Sequence, residues 1–406
     1  MSNADRPLAG QPQPGGSERR EWSATRIAIV AAIVGAVITG VFTVIAAVAP
    51  TFLPWHQEPG SSSTPTATST HSSPPAKRPP SSPGVPIPVS PAFRLYDPGS
   101  TGVYGVAFTR SGMLAAGDLN GSAYLWDVAE NKVAGTFPDG NGEGIFGVAL
   151  SPDGTILAAS TLKAHGPHKY QKGSVVLWNT SSGKLIATLN APDGRGFGNP
   201  PAFSPDGSTL AAANADGRIY LWNTATGKPA GRPLTDPGSQ VDFGIAFSPA
   251  TGFLAAADGN GTTFLWNTRQ ESIVRTFQDP DSQGVNGVAF SPGGSTLATG
   301  DNNGNVYLWN VATGARLATL HGPKGGIVSS IAFSPLGGIL AATSDNDTDR
   351  KYVTCIWDTT GKRLATFHDP QSLGVTRIAF SPDGSILAVG DENANTYIWN
   401  MNWHSS

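Results

Sequence analysis

Cysteine is all but absent: Cys355 is the only one in 406 residues. An intrachain disulfide and a cluster of metal-binding thiolates are therefore both excluded. Histidine is scarce too, with seven copies and no recurrence at a fixed spacing. There is no Gly-x-Ser-x-Gly, no His-Glu-x-x-His and no Walker loop, so the common nucleophile, zinc and nucleotide signatures are missing. Charged residues make up only 14% of the chain and the net charge is −3. A nucleic-acid partner, which needs a basic patch or stripe, is not expected, and neither is a cofactor. What the chain holds in quantity is glycine (50) and proline (33), a composition suited to many short strands joined by turns.

The one long apolar run is residues 27–49, 23 positions without charge or proline, 12 of them Ile, Val or Phe. A helix of that length covers roughly 34 Å, enough for a hydrocarbon core of roughly 30 Å, so a transmembrane helix is expected there. Arg6, Arg19, Arg20 and Arg26 precede the run, and no Lys or Arg follows it before Lys77. The positive-inside rule then predicts a cytoplasmic tail at 1–26 and an extracytoplasmic remainder. A cleaved signal peptide is the rival reading; its apolar region spans about 7–15 residues, shorter than this one. Small residues repeat every four positions (Ala28, Ala32, Ala36, Gly40), a spacing that lets two membrane helices approach and self-associate. Residues 50–92 contain 12 Pro and 14 Ser or Thr. Such a segment cannot bury enough apolar surface to fold, and reads as a disordered linker or stalk.

From residue 93 the chain repeats itself. A Leu-Trp-Asn, Leu-Trp-Asp or Ile-Trp-Asn element recurs with its Trp at 126, 178, 222, 266, 309, 357 and 399. Each copy holds four short β-branched or aromatic runs, in the fifth Gly287–Phe290, Thr296–Thr299, Val306–Trp309 and Arg316–Leu320, too short for helices. Asn-Gly at 120–121, 260–261 and 303–304 and Asp-Gly at 216–217 supply the left-handed positions of tight hairpin turns. Each copy is therefore predicted to be a four-stranded antiparallel meander. Stacking the copies in a ring buries both faces of every sheet, with the repeated Trp as the plug between neighbours. Residues 93–403 are thus expected to be all-β, a seven-bladed β-propeller.

The repeat length, the four strands and the terminal Trp-Asp or Trp-Asn resemble the WD-repeat β-propeller family, in its bacterial membrane-anchored type. The resemblance implies a binding or scaffold role. It is imperfect: the family's Gly-His pair before the innermost strand is missing, and the loops there read Asp-Pro-x-Ser (97–100, 279–282, 369–372) and similar. A row of strand-end residues, Asp118, Asn214, Asp258, Asp301 and Asp391, is expected to accept backbone N–H bonds from these loops, a structural role rather than a catalytic one. Since the chain ends just after the seventh Trp strand, Phe93–Tyr96 is expected to complete the last blade beside Tyr397–Trp399. Cys355, two before Trp357 where other copies have Tyr or Phe, should be a buried free thiol between blades.

The favoured function is a membrane-anchored extracytoplasmic scaffold or sensor that presents one propeller face to a protein, peptide or envelope polymer; the alternative is a hydrolase or other enzyme acting at the central mouth. Relative to the other copies, the second carries nine extra residues and the sixth five, both between the second and third strands. These loops, on one face of the ring, are the candidate partner site. One contains Lys163, His165, His168, Lys169, Tyr170 and Lys172, the other Asp345, Asp347, Asp349 and Arg350. The alternating Asp residues begin like a calcium loop, but Arg350 stands where such loops need Gly and no acid follows at the ninth or twelfth place. A solvated acidic loop without metal is expected.

Overall fold

The computed structural model describes residues 90–97, 99–163, 172–214, 216–237, 242–280, 282, 284–322, 326–346, 351–369 and 372–401, with the side chains of 242, 243, 345, 346 and 351 excepted. All belong to the second of two compact units, Ser82–Ser406. The expected tail and span at 1–26 and 27–49, and all but the last three residues of the expected stalk at 50–92, lie outside the described residues. No helix among the described residues is long and apolar enough to cross a membrane.

The described chain forms seven separate four-stranded antiparallel sheets. Blade 1 is Val103–Phe108, Leu114–Asp118, Ser122–Asp127 and Lys132–Pro138, and five more blades repeat that order. In the fifth, the strands are Val285–Phe290, Thr296–Asp301, Asn305–Asn310 and Arg316–His321, the expected runs extended by a residue or two. Turn chemistry sets each hairpin: Gly121, Gly261 and Gly304 all sit at positive φ, where a Cβ would be strained.

The burial pattern shows why the sheets stack. In the third strand of blade 1 the four central residues are all buried, because both faces of the sheet are covered. The outermost strand, Lys132–Pro138, alternates exposed positions with the half-buried Val133 and Gly135 and the buried Phe137. Each core cluster accordingly joins two blades: Val306 and Leu308 of blade 5 pack with Leu340, Val353, Cys355 and Trp357 of blade 6. The repeated Trp residues range from 0% exposed at Trp399 to 6% at Trp309. Cys355 is a buried free thiol in such a cluster, as expected.

The first strands line the axis and touch one another in sequence around the ring. A Cβ on Gly105 would lie 2.7 Å from the backbone N of Val148 in the next blade, and one on Gly147 would lie 2.4 Å from Cα of Pro200 in the blade after. The ring closes with the N-terminal strand: Phe93–Tyr96 pairs antiparallel with Asn395–Asn400, Leu95 opposite Thr396 and Arg94 opposite Tyr397. Leu95 is 1% exposed and packs with Val103, Leu114 and Trp126 of blade 1 and Ile398 of blade 7.

Candidate functional site

Every blade sends two connections to the same end of the ring: the loop leading into its first strand and the turn between its second and third strands. This end is the mouth. Five residues at or just before the starts of the first strands, Tyr104, Phe146, Asn199, Asn286 and Ser329, are half-buried at this end. Tyr104 and Phe146 meet edge to face, 5.6 Å between centroids. The Tyr104 hydroxyl donates to Glu392 Oε1 of blade 7 at 2.8 Å, and Asn286 Nδ2 donates to Asn302 Oδ1 at 2.6 Å. Arg377 comes from the first strand of blade 7. It donates to the carbonyl of Ser329 in blade 6 at 2.7 Å and to Asn199 Oδ1 of blade 3 at 3.1 Å. Blades 7 and 3 are not neighbours, so the second bond crosses the axis.

The two insertions rise at this end. In blade 2, Thr161 N–H donates to Ser174 O and Lys163 N–H to Lys172 O at 2.7 Å, so the hairpin continues beyond an ordinary turn and brings Lys163 and Lys172 together. His165, His168, Lys169 and Tyr170 lie outside the described residues. In blade 6 the insertion lengthens the hairpin itself: Ile339–Asn346 and Lys351–Asp358 pair as far as Asn346 opposite Lys351. Asp345 takes part in that ladder opposite Tyr352; Asp347, Asp349 and Arg350 lie outside the described residues. Among the described residues no group of His, Cys, Asp or Glu could hold a metal ion.

A third irregularity at the mouth was not anticipated. The segment leading into blade 3, residues 190–201, ends in Pro200-Pro201, and the first strand that follows is only Ala202–Phe203; proline supplies no ladder donor. Phe197 anchors this segment, fully buried and edge-to-face on Trp222 at 5.7 Å. Its N–H leans on Thr161 O at the base of the blade 2 hairpin. Beside it, Asp193 accepts from Tyr220 Oη at 3.0 Å and Asn214 Nδ2 at 3.2 Å, and Arg195 pairs with Asp216. The available sequence signal was the long Pro- and Gly-rich stretch with Asp193 and Arg195 inside it.

The Asp-Pro-x-Ser loops do more than expected. Their Asp residues are buried and accept the indole N–H of the blade's own Trp: Trp126 to Asp97 at 2.7 Å, Trp266 to Asp236 at 2.9 Å, Trp399 to Asp369 at 3.1 Å. In blade 5, Trp309 donates to Thr299, whose hydroxyl donates on to Asp279 at 2.8 Å. The loop Ser then reaches the strand-end acid, Ser100 to Asp118 and Ser372 to Asp391. The strand-end acids thus accept a loop hydroxyl as well as backbone N–H groups such as Thr101 and Asn120. Desolvation, partly offset by these hydrogen bonds, pushes Asp97, Asp279 and Asp369 up to about 7 and Asp391 to about 6; the second carboxylate nearby adds to the rise at Asp97, Asp279 and Asp369. These acids hold the loops in place and are enclosed by the blades.

Four segments of the chain match the family described as WD domain, G-beta repeat. They are residues 202–223, 271–310, 314–358 and 361–400. The last three begin near the outer strand of one blade and end on the Trp strand of the next. The repeat is therefore offset from the blade by one strand, which is why an N-terminal strand is required to close the ring. No curated protein matches the chain in sequence. Among solved structures, a chain of "Crystal Structure of Mitotic Checkpoint Complex" is similar over 83% of this chain and 99% of that one, with a TM-score of 0.66 and 21% identity. At that identity the likeness shows the fold.

Proposed function

We propose that the protein is a WD-repeat scaffold that docks a protein or peptide at the mouth of its ring, beside the blade 2 and blade 6 hairpins. The observation that carries this reading is where the repeats depart from one another. The two lengthened hairpins and the irregular lead-in to blade 3 all emerge at one end, while the rest of each blade keeps its pattern. Loops on a rigid scaffold are the usual place for recognition. The residues assigned to contact are Lys163, His165, His168, Lys169, Tyr170 and Lys172 on one side and Asp345, Asp347, Asp349 and Arg350 on the other. An enzymatic role at the mouth draws no support from the paired Asp residues, which are buried against Trp, Ser and Thr partners.

The proposal extends to location. Residues 27–49 anchor the chain in a cell membrane with the N-terminus cytoplasmic, and the propeller stands outside on the 50–92 stalk, in reach of envelope proteins, peptides or polymers. The hydropathy and the Arg bias before residue 27 support this part. Protease added to intact cells is expected to digest the propeller or stalk and spare the tail; a protected propeller reverses the assignment. For the docking site, residues 162–172 are replaced by an Asn-Gly turn. The fold is expected to persist and capture of an envelope partner to be lost. Capture at unchanged affinity moves the site from the hairpin to the centre of the mouth.

A further inference from the structure

Among the described residues, Arg377 is a cation without a counter-charge. It lies in the register shift, here between Val375 and Ile378, that also interrupts the first strands of blades 1, 2, 4, 5 and 6. The corresponding positions in blades 1, 2, 4 and 5 are Gly105, Gly147, Gly244 and Gly287, so this side chain is peculiar to blade 7. Its acceptors among the described residues are all neutral: the carbonyls of Ser329 and Thr376 and the amide oxygen of Asn199. Among the described residues, the ion pairs are Arg195 with Asp216 and Arg218 with Asp193; none involves Arg377. Its Nε is shielded from solvent with no partner, and burial pulls the guanidinium down to about 10. A desolvated charge held only by neutral acceptors is unfavourable, and an anion placed against it relieves that state.

The geometry points to Arg377 as a receptor for a carboxylate carried by the docking partner, seated at the axis between blades 7 and 3. The guanidinium fork matches a carboxylate in shape and charge. The walls offered to the rest of a peptide are aromatic and amide, Tyr104, Phe146, Asn286 and Asn302. Glu392 at the rim, held by Tyr104, disfavours a doubly charged group such as phosphate. This inference rests on the docking reading for its natural ligand, but not for its test.

The test uses the full chain and three probes followed by melting temperature at constant ionic strength. The first is acetate, with acetamide as the uncharged control. The second is a peptide capped at both ends with one glutamate, and the third an uncharged-side-chain peptide with a free C-terminal carboxylate. Wild type is expected to be stabilised by acetate and by one or both peptides, and not by acetamide; the better peptide identifies a side-chain or terminal carboxylate. Asn199→Asp places a carboxylate on Arg377 from within. It is expected to raise the melting temperature without ligand and to weaken the acetate response by about tenfold or more. Arg377→Gln is expected to abolish the response. If that variant does not fold, Asn199→Asp decides alone. No acetate response in wild type, or an undiminished one in Asn199→Asp, overturns the inference. A loop-deleted protein that loses its partner yet still responds to acetate leaves it standing.

Discussion

Trp126 donates its indole N–H to Asp97 Oδ1 at 2.7 Å across 29 residues of chain, and the other oxygen of Asp97 is buried with no partner. Trp399 and Asp369 repeat the relationship in blade 7, again with a buried second oxygen lacking a partner. A carboxyl in such a place is more stable protonated. The folded carboxyls of Asp97, Asp279 and Asp369 lie at about 7, above the unfolded value of 3.8. Between those values the folded state binds more protons than the unfolded one, so stability is greatest at the acid end and falls as pH rises toward 7. Asp153, Asp206 and Asp383, lowered by their Ser and Thr partners, act only below this window. The melting temperature is expected to drop by several degrees between about pH 5 and about pH 8, and Asp97→Asn with Asp369→Asn to flatten that slope. A profile that rises over the same range contradicts the assignment.

Ring closure rests on Leu95. Truncation to Ala removes a side chain wedged between blades 7 and 1 and is expected to destabilise by about 2–5 kcal/mol. Tyr96 is 58% exposed, and Tyr96→Ser should stay within about 0.5 kcal/mol. Denaturant unfolding of the two variants separates the residues; equal effects would mean that the closure strand is not held by its buried face.

The close approach of the first strands makes Gly147 intolerant. A Cβ there meets the backbone of Pro200 at 2.4 Å and 2.5 Å, which no rotamer change relieves. Gly147→Ala is expected to destabilise by about 1–3 kcal/mol or more. Gly293 has nothing within 4 Å of such a Cβ, and Gly293→Ala is expected to be neutral or to stabilise by about 0.4–1 kcal/mol. Melting curves of both variants check the contrast.

Cys355 is enclosed, and burial pushes its thiol up. Since the thiolate is the reactive form, a charged thiol reagent is expected to label the native protein only at the rate of unfolding, and the denatured protein at once. Fast native labelling would place Cys355 at the surface.

Much of this was legible in the sequence because it was repeated. Seven Trp residues in one register specify seven sheets, and Phe93–Tyr96, an outer-strand sequence ahead of the first blade, supplies the fourth strand of the seventh. The identity of the buried partner was harder to see. Asp97, Asp236 and Asp369 sit 29 or 30 residues before the Trp they bind and read locally as turn residues; only the packed blade turns them inward. Blade 3 was overestimated. Pro200, Pro201 and Pro233 cut its first and last strands to two residues each, a conflict between the hydrophobic pattern and the missing donor of proline. Arg377 carried no sequence signal as a site residue, because its meaning comes from Asn199 on the far side of the axis. Of the insertion residues, Lys163 and Lys172 are joined by a backbone hydrogen bond at the base of the blade 2 loop, and the tips of both loops lie outside the described residues.

The direction of the closing strand has a mechanical meaning. Ala92 N–H donates to Ile398 O, and the strand then runs from that end toward Tyr96 and the Asp97 loop at the mouth. Ala92 thus meets the ring on the side away from the mouth. The two ends of the ring are distinct: the closing strand begins at one and the lead-in loops and lengthened hairpins emerge at the other. A pull applied at Ala92 loads first the hydrogen bonds between Phe93–Tyr96 and Asn395–Asn400, the seam on which the closed ring depends.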